Sequence, residues 1–369
     1  MHILIPIYNT YIHSSAKEYV DNVIESTWLS EGKKVKEFEN QLSQKLGIIN
    51  PVAVNSGTSA LHLSMILAGI KDGDEVICPA QTFVASSLVI VQQGAKPVFA
   101  DIKYNTGNID HESIKQKITE KTKAILAVHW GGMPCDMDEI HSIAKKHNLI
   151  VIEDAAHAPG ATYKGKFVGS ISDYTCFSFQ AIKHITTGDG GAIACKNDEK
   201  KREAITKRWF GIDRGNSEPS ILGERQYDIN SLGFKYHLND YGAALGLSNI
   251  SDFTERLLWL REKANYYRQQ LQNVPGIQLW DCPSDRESAW WLFGMHVEER
   301  LHFITAMAER GISTSVIHQG IDSKSIFGGK DETLVNQRKF DLSQIHIPLH
   351  NGLTEENIDY IIQSIKKGW

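Results

Sequence analysis

The stretch SFQAIKHITTGDGG at residues 178–191 is the most informative part of the chain for predicting the fold. A β-rich run ends within this stretch and a glycine-rich turn follows, so we expect Lys183 to lie between the end of one strand and the start of the next. The segment is otherwise nearly free of charge, and burial of a lysine lowers its pKa and makes its amine a nucleophile. We therefore expect a partly desolvated, reactive Lys183, and the alternative is an ordinary solvated lysine.

Upstream, the segment NSGTSAL at residues 55–61 lies where a strand is expected to end and a helix to begin. The first N–H groups of a helix have no partner in the helix and carry a partial positive charge, which suits a phosphate. Gly57 allows close approach, and Thr58 and Ser59 add hydroxyl groups. The alternative is a capped strand-to-helix turn without a ligand.

A third segment, IEDAAHA at residues 152–158, places an acid at the end of an apolar strand. Open α/β sheets bind ligands at the carboxyl ends of their strands. Asp154 in that position suits a metal ion or a protonated ring nitrogen, and the alternative is a helix-capping aspartate.

Seven short apolar runs between residues 52 and 195 alternate with amphipathic stretches and predict an α/β fold. The runs are Val52–Asn55, Glu75–Cys78, Lys96–Ala100, Ala124–His129, Leu149–Glu153, Tyr174–Phe179 and Ala192–Cys195. We expect a mostly parallel sheet flanked by helices, with an antiparallel part among the later strands. Residues 1–245 form the predicted large domain with an N-terminal arm, and residues 246–369 a smaller α+β domain.

The composition disfavours a nucleic-acid binder, a membrane-spanning protein and a disulfide-bonded protein. The 369 residues carry a net charge of -5, which lacks the basic character of a nucleic-acid binder. We expect no membrane span and no signal peptide, because no long apolar run and no basic leader occur. The five cysteines form no CxxC pair, which favours reduced thiols in the cytoplasm over disulfides or a metal site.

Taken together, the three segments match the needs of pyridoxal phosphate: a lysine for a Schiff base, an acid for the pyridine nitrogen and a helix end for the phosphate. The chain resembles the nucleotide-sugar aminotransferases of the DegT/DnrJ/EryC1/StrS family, which have fold type I. The resemblance spans nearly the whole chain. It is carried by WLSEG at residues 28–32, SGTSALHL at 56–63, PAQTFVAS at 79–86, EDAAHAPGA at 153–161, SFQAIKHITTGDGG, Gly233–Leu247 and Trp290–Val297.

The resemblance implies roles for individual residues. Lys183 is the Schiff-base lysine and proton shuttle, and Asp154 pairs with the ring nitrogen. Thr58, Ser59 and Ser178 hold the phosphate. Phe83 stacks on the ring and His157 lies near its hydroxyl group, with plain structural roles as the alternatives. Five residues align with substrate-facing loops, again with structural roles as the alternative: Trp28, Ser30, Tyr163, His318 and Gln319.

One motif departs from the family, which commonly has G-(Y/F)-N-Y-R where this chain has GFKYH at residues 233–237. In relatives the asparagine reaches the cofactor phosphate of the neighbouring subunit. Lys235 is therefore expected to meet that phosphate as a cation in a homodimer with shared active sites. His237 replaces the arginine, so any role of that arginine is in doubt.

The implied reaction is amination of a nucleotide-linked keto-deoxy sugar, 4-keto-6-deoxy or 3-keto, with L-glutamate as donor and an amino sugar for a polysaccharide or glycoside as product. A related sugar 3-dehydratase is the first alternative, but such enzymes carry histidine at the position of Lys183. The second is a non-catalytic regulator, which is expected to lose Lys183, Asp154 or the phosphate cup. The nucleotide, the keto carbon and the product stereochemistry stay open.

Overall fold

A seven-stranded sheet organises the computed structural model, which describes residues 4–215 and 217–369. The strands are β1 (Pro51–Val54), β2 (Glu75–Pro79), β3 (Lys96–Ala100), β4 (Thr122–Val128), β5 (Ile150–Asp154), β6 (Thr162–Tyr163), β7 (Lys166–Phe167), β8 (Tyr174–Ser178), β9 (Gly191–Cys195), β10 (Glu218–Pro219), β11 (Arg225–Gln226), β12 (Ile277–Leu279), β13 (Arg286–Glu287), β14 (Phe293–Val297) and β15 (Gln344–Ile347).

Helices cover the sheet and build much of the rest of the chain. They are α1 (Ala16–Ser26), α2 (Lys33–Leu46), α3 (Gly57–Leu67), α4 (Ala85–Gln92), α5 (His111–Lys117), α6 (Met137–His147), α7 (Asp198–Lys207), α8 (Asp240–Ile250), α9 (Phe253–Leu271), α10 (Arg300–Glu309), α11 (Val335–Ser343) and α12 (Glu355–Lys366). Short 3-10 turns occur at Trp130–Gly132, Ile321–Ser323 and Ser325–Phe327.

The order of the large sheet is β1-β9-β8-β5-β4-β2-β3. Its neighbouring strands are parallel from β3 through β8, and β9 runs antiparallel to both β8 and β1. The prediction of a mostly parallel sheet with an antiparallel part is therefore confirmed. Strands buried on both faces have continuous apolar runs rather than alternating ones, which is why seven such runs were visible in the sequence.

The topology brings three chain segments to one edge of the sheet. Strands β1, β5 and β8 all end there, because β1 and β8 both run antiparallel to β9. Gly191 at the start of β9 is paired with Val54 on one side and Ser178 on the other. The edge therefore gathers Asp154, Ser178 and the first turn of α3.

A second, three-stranded antiparallel sheet has the order β12-β14-β15. Residues of α9, α10 and α12 form one core with it, including Tyr267, Phe303 and Ile361. Helix α10 ends before Gly311, which has a φ of 71°; this left-handed conformation costs glycine little. The division into a large domain and a small α+β domain at residues 246–369 stays a prediction.

Helix α8 belongs with the large sheet, because it packs against α1 and α2. A boundary at residues 245 and 246 would cut through this helix, which continues to Ile250. The packing favours a boundary at the connection between α8 and α9 instead.

The N-terminal segment connects both parts of the chain. Ile5 pairs with Ile312 of the small domain, and the His13 N–H donates to Asn249 Oδ1 of α8 at 2.8 Å. The segment thus lies across the molecule before α1 begins. Within the described residues, no helix is both long and apolar enough to span a bilayer.

Candidate active site

A cavity of about 510 Å³ opens at the edge of the sheet where β1, β5 and β8 end. Its walls come from the first turn of α3, the end of β5, the loop between β8 and β9, the N-terminal segment and a small-domain loop at residues 315–318. The structure brings seven of the predicted site residues to this cavity: Thr58, Phe83, Asp154, His157, Ser178, Lys183 and His318.

Lys183 lies in the loop between β8 and β9 rather than on a strand, and its backbone N–H donates to the Gln180 carbonyl at 2.9 Å. Its Nζ is 3.6 Å from the centroid of the Trp291 ring. Burial lowers the pKa of the amine to about 7, although the nearby Asp154 carboxylate favours the charged form. An amine with this pKa can accept and release a proton near neutral pH.

Asp154 ends β5 and is buried. One carboxylate oxygen accepts a hydrogen bond from Ser86 Oγ at 2.7 Å, and the other accepts from the Ala156 N–H at 3.1 Å. A turn follows rather than an α-helix, so Asp154 is not a helix cap. Two donors hold the carboxylate in place at the cavity wall.

The first turn of α3 forms a small cup at the other end of the cavity. The Ser56 side chain caps the helix by accepting from the Ser59 N–H at 3.0 Å, and Ser59 Oγ donates to Asn55 Oδ1 at 2.7 Å. The Ser59 hydroxyl is thus part of the cap, whereas Ser56, Gly57 and Thr58 line the cavity.

Close packing around this cup explains the glycines in its walls. A Cβ atom added to Gly57 would lie 2.8 Å from Ser178 Cβ. A Cβ atom added to Gly191 would lie 2.5 Å from the Ser56 carbonyl oxygen. Only a hydrogen fits at these two positions, and the backbone of the cup can approach a ligand closely.

An aromatic wall adjoins Lys183. The His157 imidazole stacks on Trp291 with ring centroids 3.7 Å apart, and Tyr8 stacks on the same tryptophan at 5.4 Å. Burial holds the pKa of His157 well below its usual value, and the charge on Lys183 lowers it further. His157 is therefore neutral, and its Nδ1 is buried without a protein partner.

Phe83 and His318 face each other at the cavity mouth, with ring centroids 5.3 Å apart. Half of the Phe83 surface is exposed, so its ring is free to contact a ligand. The His318 carbonyl accepts from Gln81 Nε2 at 3.1 Å and from Gln344 Nε2 at 2.9 Å. Burial lowers the pKa of His318 to about 4.

Five other predicted residues lie elsewhere in this chain. Tyr163 is buried beneath the Arg286 guanidinium, 4.8 Å from its ring centroid, in a core cluster away from the cavity. Trp28, Ser30, Gln319 and Lys235 are exposed and do not line it. The Lys235 carbonyl accepts from Asn55 Nδ2 at 3.2 Å, so its backbone runs beside the cup at the first turn of α3.

Four residues of the site were missed from the sequence: Tyr8, Ser56, Ser86 and Trp291. Ser56 was accessible to sequence reasoning, because a serine before a helix is a typical cap. Tyr8 and Trp291 reach the cavity from distant segments and carry no local signal. The described residues contain no group of three or more His, Cys, Asp or Glu side chains arranged to hold a metal ion.

The chain is similar to known proteins over nearly its whole length. Residues 10–366 match the DegT/DnrJ/EryC1/StrS aminotransferase family. The chain is 32% identical to GDP-perosamine synthase of Escherichia coli O157:H7 over 98% of both chains. The crystal structure of the sugar aminotransferase CalS13 from Micromonospora echinospora superimposes with a TM-score of 0.94 at 31% identity, covering 99% of this chain and 100% of that one. Spr1654 of Streptococcus pneumoniae, solved in PLP and PMP forms, is 30% identical with a TM-score of 0.91, and the match covers at least 98% of both chains.

Proposed function

The chain belongs to the DegT/DnrJ/EryC1/StrS aminotransferase family, and we propose that it aminates the keto carbon of a nucleotide-linked deoxy sugar with L-glutamate as the donor. The observation that carries this proposal is the cavity itself, in which a partly exposed lysine of lowered pKa, a fixed carboxylate and an α-helix N-terminus converge. A 4-keto-6-deoxy sugar is the first candidate for the acceptor, and the similarity to GDP-perosamine synthase supports a nucleotide-linked substrate. A 3-keto sugar is the second.

The enzyme is an aminotransferase whose cofactor is pyridoxal phosphate, and the residues of the cavity fit this group. The cup at α3, with Thr58 and Ser178, would hold its phosphate because unpaired N–H groups and hydroxyls suit an anion. Asp154 would hold the ring nitrogen, and Phe83 would cover one face of the ring. When bound, pyridoxal phosphate supplies the electron sink that stabilises a carbanion.

Lys183 supplies the proton chemistry. Its amine lies beside Asp154 and against Trp291, and its pKa of about 7 suits both steps of a proton relay between carbon atoms. The surrounding side chains exclude water from one side of the amine. Tyr8, Trp291 and Ile317 give the cavity an apolar wall, which is compatible with the methyl group of a deoxy sugar.

The orientation of His184 argues against the dehydratase alternative. Its Nε2 lies 2.7 Å from the Ala289 carbonyl, and the residue does not line the main cavity. His184 therefore cannot replace Lys183 as the group that faces a substrate. The presence of Lys183, Asp154 and the cup together also disfavours a non-catalytic regulator.

We further propose that the enzyme is a homodimer in which Lys235 approaches the phosphate of the partner. The exposed position of Lys235 beside the cup supports this proposal. So does the segment that precedes it in sequence, where large apolar side chains are exposed, including Ile221, Leu222 and Leu232. Exposed apolar patches of this kind are typical of interfaces between proteins.

The test is a substrate panel. GDP-, UDP- and dTDP-linked 4-keto-6-deoxy and 3-keto sugars are each incubated with the enzyme and L-glutamate, and products are identified by mass spectrometry and NMR. We expect one ketone to become an amine with stoichiometric release of 2-oxoglutarate. Lys183→Ala is the control and is expected to be inactive. Loss of water from the sugar without amination would support the dehydratase instead.

A further inference from the structure

A second, small cavity lies behind Lys183, on the side of the N-terminal segment. Its volume is about 30 Å³, and its lining includes Tyr8, Tyr11, Lys183, His184 and Asn351. A cavity needs more than roughly 10–15 Å³, together with two to four polar partners, to hold an ordered water. This cavity is large enough for one water, so the remaining requirement is that its walls offer free polar groups.

Most polar groups in its walls already have protein partners. The Tyr11 hydroxyl donates to Asp252. His350 Nε2 bonds to the Pro6 carbonyl at 3.0 Å, and its Nδ1 accepts from the Gly352 N–H at 3.2 Å.

Asn351 is satisfied as well. Its Nδ2 donates to the Arg256 carbonyl at 3.1 Å, and its Oδ1 accepts from Arg256 Nη1 at 3.4 Å. Asn9 is exposed to solvent. Two buried atoms are left without a protein partner, Tyr8 Oη and His184 Nδ1.

The tautomer of His184 follows from its other contact. A carbonyl oxygen can only accept a hydrogen bond, so His184 Nε2, which lies 2.7 Å from the Ala289 carbonyl, carries the proton. Burial lowers the pKa of this histidine to about 4, so it is neutral. Its Nδ1 is therefore a bare acceptor, more than nine-tenths buried, that lacks a donor.

The Tyr8 hydroxyl is a hydrogen-bond donor, whereas His184 Nδ1 is an acceptor. Burial raises the pKa of the Tyr8 phenol above the usual value, so the O–H stays protonated. The Tyr8 ring stacks on Trp291. Just before Tyr8, the Pro6 carbonyl hydrogen-bonds to His350 and the Ile5 backbone pairs with Ile312. A buried hydroxyl without a partner is unfavourable, and one bound water would give the Tyr8 hydroxyl a partner.

We propose that this cavity is a water-binding site in which one water accepts from Tyr8 Oη, donates to His184 Nδ1 and hydrogen-bonds to Lys183 Nζ. Tyr8 and His184 are then positioning residues that act on Lys183 through the water. The water accepts from Lys183 when the amine is charged and donates to it when the amine is neutral. Lys183 thus keeps a hydrogen-bonding partner in both states of a proton relay.

Other titratable groups also face Lys183 and its loop. They are Asp154 from β5, His157 from the following turn, His318 from the small-domain loop and Arg256 from α9, which binds the His184 carbonyl. A change at Tyr8 leaves all of these in place. Any effect of the water on turnover depends on the proposed role of Lys183 in the reaction. Binding of the water is measured without turnover.

The first measurement is a crystal structure of the holoenzyme at a resolution that defines ordered waters. We expect a water within hydrogen-bonding distance of both Tyr8 Oη and His184 Nδ1. The second is the pH dependence of Lys183 labelling by an amine reagent in the cofactor-free full-length protein, followed by peptide mass spectrometry. In Tyr8→Phe the labelling midpoint should fall by about half a pH unit, a roughly threefold change in proton affinity, because a less hydrated amine disfavours its charge.

Tyr11→Phe is the matched control, because it removes a phenol from the same cavity that already has a partner. Its labelling midpoint should equal that of the wild type. A dry cavity in the crystal structure, or a Tyr8→Phe midpoint equal to that of Tyr11→Phe, would overturn the proposal. Neither result would bear on whether the enzyme aminates a sugar, which the substrate panel decides separately.

Discussion

The chemistry of Lys183 comes from its surroundings rather than from its residue type. Burial removes water from the amine and lowers its pKa, while Asp154 and the face of Trp291 favour its charged form. These influences leave the pKa close to 7. Lys183 can therefore change its protonation state at neutral pH, which an exposed lysine cannot do.

Asp154 allows a prediction at the same scale. Asp154→Asn removes the negative charge and keeps one acceptor oxygen, which can accept from Ser86 but leaves the Ala156 N–H without its acceptor, and we expect the fold to persist. We expect turnover to fall by at least about tenfold, since a hydrogen bond to a charged group contributes ~1.5–3 kcal/mol. Cofactor content, measured by absorbance after gel filtration, should change much less.

The control for this prediction is Asp173→Asn. Asp173 is another acid of the large domain, bound to Lys196 at 2.8 Å and to the Val151 N–H at 3.0 Å. It lies outside the cavity lining, and its replacement should leave turnover nearly unchanged. A wild-type rate in Asp154→Asn would show that this carboxylate serves only the turn that follows it.

At the scale of elements, the approach of α3 to β8 and β9 forms the cup that we propose holds the phosphate. Gly57→Ala introduces a Cβ atom 2.8 Å from Ser178 Cβ, so the helix end or the strand end must shift. We expect the affinity for pyridoxal phosphate to fall by about tenfold or more, equivalent to ~1.4 kcal/mol. Titration of the cofactor-free protein, followed by absorbance, measures this change.

Gly215→Ala is the matched control. Among the described residues, a Cβ atom there meets only a side-chain oxygen of Asp213, at 3.3 Å, and Gly215 lies outside the cup. Its cofactor affinity should equal that of the wild type. Equal affinities for Gly57→Ala and the wild type would show that the phosphate binds away from the first turn of α3.

The elements of the large sheet could be predicted from the sequence, because strands buried on both faces are continuous apolar runs. The strand at Lys96–Ala100 has the predicted bounds, and the other six runs agree with the observed strands within one or two residues at each end. The proximity of Asp154, Ser178 and Thr58 could also be predicted from the sequence, since parallel strands place their carboxyl ends together. The reactive role of Lys183 was predicted from its uncharged, glycine-flanked context, and it stays a prediction.

The rest of the site depends on tertiary placement. Tyr8 and Trp291 lie far apart in sequence, and their stacking is visible only once the N-terminal segment crosses the molecule. Tyr163 was expected near the substrate, but its ring packs under Arg286. Ser59 is buried in the cap of α3, because the Ser56 and Asn55 side chains engage it.

At the scale of the whole molecule, the proposed homodimer shares its active sites through Lys235. Lys183→Ala and Lys235→Ala proteins, each expected to have little activity alone, are unfolded and reassembled together. If Lys235 serves the partner, a mixed dimer contains one intact site, and activity should return to about a quarter of the wild-type value with random pairing of two chains.

Three results would contradict the shared site. If Lys235 serves its own subunit, no mixed dimer has an intact site, and the reassembled protein stays as inactive as its parents. A monomer in sedimentation, or full activity of Lys235→Ala alone, would equally exclude it. The control is reassembly of each variant by itself, which should recover no activity.

The most direct test of the central claim, that Lys183 carries the cofactor of a transaminating enzyme, is borohydride reduction of the purified holoenzyme followed by peptide mass mapping. We predict a pyridoxyl group on Lys183 alone, and we predict that prior incubation with L-glutamate prevents its attachment, because the cofactor is then released from the lysine as pyridoxamine phosphate. A pyridoxyl group on another lysine, or attachment unaffected by glutamate, would contradict the account.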